Sequence, residues 1–527
     1  MKSNKLSILH LIIIAGVLFT FYLQWQIPDE VFFSGDGGLK ALLAKQFSAG
    51  DWRFDLHIPG ENWVRQLWHQ GLYPFERPFV YQQNIDRYYI TFPFTFPLIT
   101  APFYKLFGFR GLYIIPLVSI WLLWWRFLIV CQRLNLTTNS TAIALTALIF
   151  GSPLTLYSAM YGEHSLAVLL GFYGLSNWAH LEGFAGNSWS DSDRRPIILG
   201  GLALGFAFWF RPEFICLIGV LLTIIIWTGN LKLIFHQQTI LFFGSILITI
   251  SLFLLANLLI YHHALGIHSL QVLEKFTITE RIKAYFFNLK YIGGALIKYF
   301  PLTVSMVAYC LYTCGQKSTQ IPLYLPKLTN WLFLIQVLYI LYVPLILPKP
   351  ETGGNGGKQW GPRFWLIIIV ILCWVIAIAW QYLIEKGSNQ QRYLGKIAII
   401  SLLVTSIGIN TWVGAIKLST DYHQRVLPAL VFIRQSPQKI IATSDAFISQ
   451  ELSALFNQKI FFLTNNGEKL HQLAVTAAAR GHQQLLYVST NAKPVDHLEL
   501  DRDLKLPILK NLPLGKFGSY YLFNCQF

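Results

Sequence analysis

Charge is what this sequence has least of. Only 13% of its 527 residues are Asp, Glu, Lys or Arg, against the roughly 25% usual in soluble domains. That argues against an ordinary soluble enzyme. A hydrophobic share of 54% and a mean hydropathy of +0.47 exclude a disordered chain as well. Cysteine is also scarce: Cys131, Cys216, Cys310, Cys314, Cys373 and Cys525 form no CxxC pair. Neither a disulfide framework nor a zinc site is indicated. Cys310 and Cys314 share a helix face, where small apolar packing is the favoured reading. A Gly-rich nucleotide fingerprint and internal repeats are missing too, which removes support for a nucleotide-binding role.

Long apolar runs are present instead, and several reach the roughly 20 residues needed to cross a bilayer. After MKSNK the first run lacks a small-residue cleavage site and reads as an uncleaved helix to Gln24. Further spans are expected near 111–131, 141–160, 165–181, 197–210, 214–229, 238–260, 296–313, 329–347, 364–384 and 397–416. The expected fold is therefore an α-helical polytopic membrane protein with about 11 transmembrane helices.

Residues 27–90 are polar and aromatic-rich, too long for a tight connection, and read as a long first outer loop. In 91–108, Pro93, Pro97 and Pro102 predict a re-entrant or interfacial segment. Beyond about 420 the composition turns polar. Strand-like runs at 439–444, 459–463 and 484–489 alternate with helix-like 446–456 and 467–480, predicting a small C-terminal α/β domain over 420–527. Residues 1–419 form the expected transmembrane domain.

The 41 Lys and Arg against 25 Asp and Glu leave a net charge of +16. The bases are scattered through connecting loops, so membrane lipids and phosphorylated substrates are the expected partners and nucleic acid is not. With Lys2 and Lys5 inside, the loops carrying Arg126, Arg133, Arg194, Arg195, Lys232, Lys317, Lys327, Lys386, Arg392 and Lys396 also fall inside. The long first loop and the C-terminal domain then lie outside. Lys275, Arg281, Lys283, Lys290, Lys349 and Lys358 break the rule, and binding an anionic substrate outside is one reason for them. The NLT and NST triplets at 135–141 fall inside and read as chance glycosylation matches.

Four polar islands stand at the expected outer helix ends, where polar groups need a cavity or a partner. Ser34-Gly35-Asp36-Gly37-Gly38 offers a carboxylate that a ligand can approach, or an Asx-type turn. Tyr161-Gly162-Glu163-His164 offers an acid and an imidazole for protons, metal or a sugar hydroxyl, or a cap on the next helix. In Arg211-Pro212-Glu213 the proline and Glu213 suit a new helix start, and Arg211 reads first as the structural ion-pair partner of an acid from another island. Before Trp360-Gly361-Pro362-Arg363 lies the flexible run that includes Lys358; Arg363 suits a phosphate, or anchors the membrane interface. His262, His263 and His268 read as surface or interfacial packing rather than a metal site.

The order of these islands resembles the GT-C superfamily of integral-membrane glycosyltransferases, which includes protein O-mannosyltransferases and aminoarabinose transferases. The resemblance rests on an acid just after the first helix, a long outer loop, a Pro-rich shallow segment, a second outer acid and an outer C-terminal domain. GGNGGKQWGPRFW is similar to a Gly-Pro-Arg-aromatic motif of predicted bacterial members, and FRPE at 210–213 to an Arg-Pro-Glu element seen there. What the resemblance implies is transfer of a sugar, with inversion, from a polyprenyl-phosphate donor to a glycan, lipid or protein acceptor outside the bacterial cytoplasmic membrane. It implies Asp36 as general base and Glu163 as the second catalytic acid. His164, Arg211, Glu213, Lys358 and Arg363 are the expected substrate-binding residues. A divalent cation, Mg or Mn, is the one cofactor considered, with Asp36 and Glu163 as its only candidate ligands. A lipid-linked sugar flippase and a non-catalytic assembly protein are the alternatives.

Overall fold

The computed structural model describes residues 7–84, 86–181, 194–227, 236–267, 269, 277–315, 324–347, 360–492 and 510–527. Two compact units are formed, one by Met1–Gln24 with Tyr113–Ile416 and one by Trp25–Leu112 with Lys417–Phe527.

The first unit is helical. Its centre is the helix Leu366–Lys386, in which every side chain from Leu366 to Gln381 is buried. A helix apolar on all sides belongs inside a bundle, and this one packs against Thr138–Ile149 and Tyr324–Ile346 among others. Helix Gln237–Tyr261 instead exposes Leu247, Ile248, Leu252, Leu255 and Leu259, the apolar surface a lipid-facing helix requires. Arg126, read from the sequence as an inner-loop base, is buried and donates to Ser176 Oγ at 2.7 Å and Asn177 Oδ1 at 2.7 Å.

The protein is an integral membrane protein whose described apolar runs do not all form straight helices of spanning length. Among the described residues six helices are long and apolar enough to cross, or eight if each of two bent pairs is one span. The reason is breakage and shortness. The run at 141–160 bends by 49° between Thr138–Ile149 and Pro153–Ala159, and the run at 296–313 lies across a 107° bend between Ile278–Tyr299 and Leu302–Cys310. Helices Arg195–Phe210 and Phe214–Trp227 have 16 and 14 residues, below the roughly 20 a straight crossing takes.

In the second unit, β1 (Val80–Asn84) and β2 (Arg87–Ile90) form an antiparallel pair. The strands β3 (Ile440–Thr443), β4 (Ile460–Leu463), β5 (Gln484–Ser489), β6 (Lys510–Phe517) and β7 (Tyr520–Gln526) form a sheet of order β4-β3-β5-β7-β6. Strand β3 is parallel to β4 and β5, with Ala446–Glu451 and Gly467–Ala479 in the connections. All four of its residues are buried, as a central parallel strand demands. Beyond the expected βαβαβ pattern stands the antiparallel pair β6–β7. Pro513 and Gly515 hide β6 from a strand pattern; its register shifts between them, the irregularity at which proline is tolerated in a sheet.

The aromatic residues of the first long segment cover this sheet. Trp63 stacks on Phe462 with ring centroids 5.9 Å apart, and Phe75 stacks on Phe456 at 5.2 Å. Trp68 Nε1 donates to the Phe461 carbonyl at 3.1 Å, and so covers part of the edge strand β4. Phe462 is fully buried. Phe462→Ala is therefore expected to cost about 3–5 kcal/mol, seen as faster hydrogen exchange across β3 and β4 than in the wild type. Helix Thr95–Phe107, from the proline-rich segment, packs against Gly35–Ser48 in the same unit and leaves Leu106 and Phe107 exposed.

Candidate functional site

Three of the polar islands meet in the first unit. Helix Arg195–Phe210 ends where Arg211 turns extended, at φ −139°, and Phe214–Trp227 begins three residues later. That turn points the Arg211 guanidinium at its own neighbour: Nε lies 2.6 Å from Glu213 Oε1 and Nη2 lies 2.5 Å from the same oxygen. Nη1 also reaches Glu163 Oε1 at 3.3 Å and His164 Nε2 at 3.0 Å. A guanidinium only donates, so His164 Nε2 is the acceptor and a neutral His164 carries its proton on Nδ1. Arg211, Glu163 and Glu213 are all buried. Burial disfavours the charge on Arg211, and the carboxylates of Glu213 and Glu163 outweigh it, holding its pKa above the ordinary guanidinium value.

Arg363 joins the same cavity. Together with His164, Arg211, Glu213 and Tyr339 it lines a small recess that is partly open to solvent. The guanidinium carbons of Arg211 and Arg363 each lie 5.1 Å from the centroid of the Phe364 ring, within cation–π range. The Arg363 turn is firmly held. Gly361 adopts φ +85° against Pro153, where a side chain would be strained and crowded. Trp360 Nε1 donates to Asn410 Oδ1 at 3.1 Å, and Asn410 Nδ2 donates to the carbonyls of Gly151 at 2.8 Å and Tyr299 at 2.7 Å. Asn410 and Tyr339 are contributors that sequence reasoning missed. The one available signal for Asn410 was a lone amide inside an apolar run.

Arg211 has two carboxylates in contact with it, and Arg363 lines the same recess. Such a wall suits a phosphate with an apolar tail, since Val168, Phe214, Leu366 and Ile367 supply the rest of the lining. Breaking a buried ion pair by removing one partner leaves the other charge exposed to low dielectric. Glu213→Ala is accordingly expected to lower stability by about 3–5 kcal/mol, checked by the thermal unfolding midpoint in detergent.

Asp36 stands in the second unit. It lies in the first turn of helix Gly35–Ser48 and is 5% exposed; the positive end of a helix dipole favours a carboxylate there. Lys358 lies outside the described residues, as does His268. His262, at φ +56°, caps helix Gln237–Tyr261, and His263 Nδ1 contacts Ser269 Oγ at 3.3 Å. Among the described residues no three His, Cys, Asp or Glu side chains come together as a metal-ligand set.

No protein-family model matches the sequence, and no curated protein matches it either. Solved structures do. The crystal structure of ArnT from Cupriavidus metallidurans bound to undecaprenyl phosphate is similar at a TM-score of 0.54 and 12% identity, covering 98% of this chain and 97% of that one. The apo state of the same protein is similar at 0.53, with the same identity and coverage. This chain shares the fold of ArnT. The archaeal oligosaccharyltransferase AglB from Archaeoglobus fulgidus, in complex with an inhibitory peptide and a dolichol-phosphate, scores 0.49 at 10% identity over 90% of this chain and 69% of that one. Within this fold, Glu163, His164, Arg211, Glu213 and Arg363 gather in one unit, and Asp36 belongs to the other.

Proposed function

We propose that this protein is an inverting GT-C glycosyltransferase of the bacterial cytoplasmic membrane. It transfers a sugar from a polyprenyl-phosphate donor to a glycan, lipid or protein acceptor on the extracytoplasmic face. The observation that carries this reading is the fold shared with ArnT over 98% of the chain, in a structure that holds undecaprenyl phosphate.

In this reading Asp36 removes the proton of the acceptor hydroxyl. The hydroxyl oxygen bonds to the anomeric carbon from the face opposite the phosphate. The bond between that carbon and the phosphate oxygen breaks, its electron pair leaves with the phosphate, and polyprenyl phosphate departs. Arg363 stabilises the negative charge developing on that leaving group, the moment at which a fixed cation counts most. The cavity beside it supports the assignment, being both cationic and apolar-lined. Glu163 and Glu213 hold Arg211, and His164, in contact with the same guanidinium, stands on the recess wall where a phosphate or sugar oxygen would bind.

A flippase reading predicts charged groups near the middle of the spans. Arg211 and Arg363 instead stand at helix ends, which favours the transferase. The deciding assay mixes the purified full-length protein with a panel of polyprenyl-phosphate sugars and follows release of polyprenyl phosphate. Turnover of one or more donors is the expected result. Movement of intact donor across vesicle membranes without cleavage would reverse the choice.

A further inference from the structure

The glycines around Asp36 look, in sequence, like room for a ligand. Packing within the second unit gives them another reason. A Cβ on Gly35 would stand 2.5 Å from Gln450 Oε1, and one on Gly38 would stand 2.1 Å from the Gln450 carbonyl oxygen and 2.6 Å from Ser453 Oγ. At Gly38 the obstacle is main chain, which cannot swing aside. The first turn of helix Gly35–Ser48 is therefore in direct contact with residues 450–453 of the C-terminal sheet domain.

Those residues are themselves well anchored. Gln450 lies on helix Ala446–Glu451, and the fully buried Glu451 beside it pairs with Arg425 at 3.3 Å and accepts from the Tyr520 hydroxyl on β7. Gln450 is wholly buried too, yet among the described residues neither Oε1 nor Nε2 has a hydrogen-bond partner, and Ser453 Oγ has none. A buried carboxamide left in that state is destabilising. Such groups are tolerated where they serve a site, and this one abuts the residue next to Asp36.

We propose that Gln450, with Ser453, is a positioning residue for Asp36. The 450–453 segment sets where the helix start stands, and the Gln450 carboxamide is the neutral polar group the carboxylate needs beside it. The C-terminal domain is thereby a working part of the catalytic apparatus rather than an appended acceptor-binding module. This rests on the reading of Asp36 as general base.

The experiment compares kcat, KM and the pH dependence of kcat/KM for wild type, Asp36→Asn, Gly38→Ala and Gln450→Glu, all full-length. Gly38→Ala must push the helix start off Gln450, and a displacement of about 1 Å at a reacting group costs about 10²-fold in rate. The loss is expected in kcat, with KM nearly unchanged. Gln450→Glu keeps the size and adds a second acid next to Asp36; like charge disfavours ionisation of the base, so the acidic limb of the profile moves to higher pH. A purely structural role would not move that limb. Where Gly38→Ala fails to fold, the Gln450→Glu profile decides alone. A Gln450→Glu profile that superimposes on wild type, while Asp36→Asn is inactive, overturns the positioning role and leaves the base standing. Asp36→Asn at wild-type rate removes both.

Discussion

Asp36→Asn lowers the rate of sugar transfer by about 10²–10⁴-fold, the usual contribution of a general base. Asparagine has nearly the same shape as aspartate and can accept no proton at neutral pH. Asp36 is buried in the first turn of its helix, so the substitution leaves the packing in place. The dipole contribution lost with the charge is about 0.3–1 kcal/mol, which shifts the unfolding midpoint slightly. The measurement is kcat for donor cleavage beside a melting curve of each protein. A variant that melts like wild type and turns over at the same rate would falsify the base assignment.

Arg363→Ala lowers kcat/KM by about 10²–10³-fold, the scale seen when one preorganised donor to a developing oxyanion is removed. Arg363 lines the recess beside Arg211, which is held by Glu163 and Glu213, and its guanidinium stands over the Phe364 ring. Because Trp360, Gly361 and Asn410 fix the turn, the loss reflects the guanidinium rather than a collapsed loop. Arg363→Lys restores only part of the rate, since an ammonium is a point charge without the planar fork. Product inhibition by polyprenyl phosphate offers an independent readout: its inhibition constant rises with Arg363→Ala and is unmoved if the residue is only an interfacial anchor.

Much of the architecture could be read from local pattern. The strand-like runs at 439–444, 459–463 and 484–489 contain β3, β4 and β5, because short apolar stretches between turn residues report strand structure directly. Bends within the apolar runs were not legible. A bend of 107° at the end of Ile278–Tyr299 leaves hydropathy unchanged, so apolar length alone could not reveal it. The four islands were visible as polar interruptions, and an ion pair of Arg211 with an acid from another island was the favoured reading. The structure gives it Glu163, 48 positions away, and adds Glu213 two residues on; which acid would reach it was not legible locally. Asn410 was invisible for the same reason: its partners are carbonyls at Gly151 and Tyr299 and the Trp360 indole.

By itself, the sequence determined the solvent this protein lives in and the character of each segment. Hydropathy, proline spacing and strand patterns act within about 20 residues, and they separated apolar helices from a polar α/β domain. Only the tertiary structure decided which polar groups meet. It brought His164, Arg211, Glu213 and Arg363 to one recess with Glu163 paired to Arg211, and it set Gln450 against the helix start that carries Asp36. Ion pairs and close backbone approaches join residues distant along the chain. Their energy depends on separations of a few ångströms, a quantity that exists only once the chain has folded.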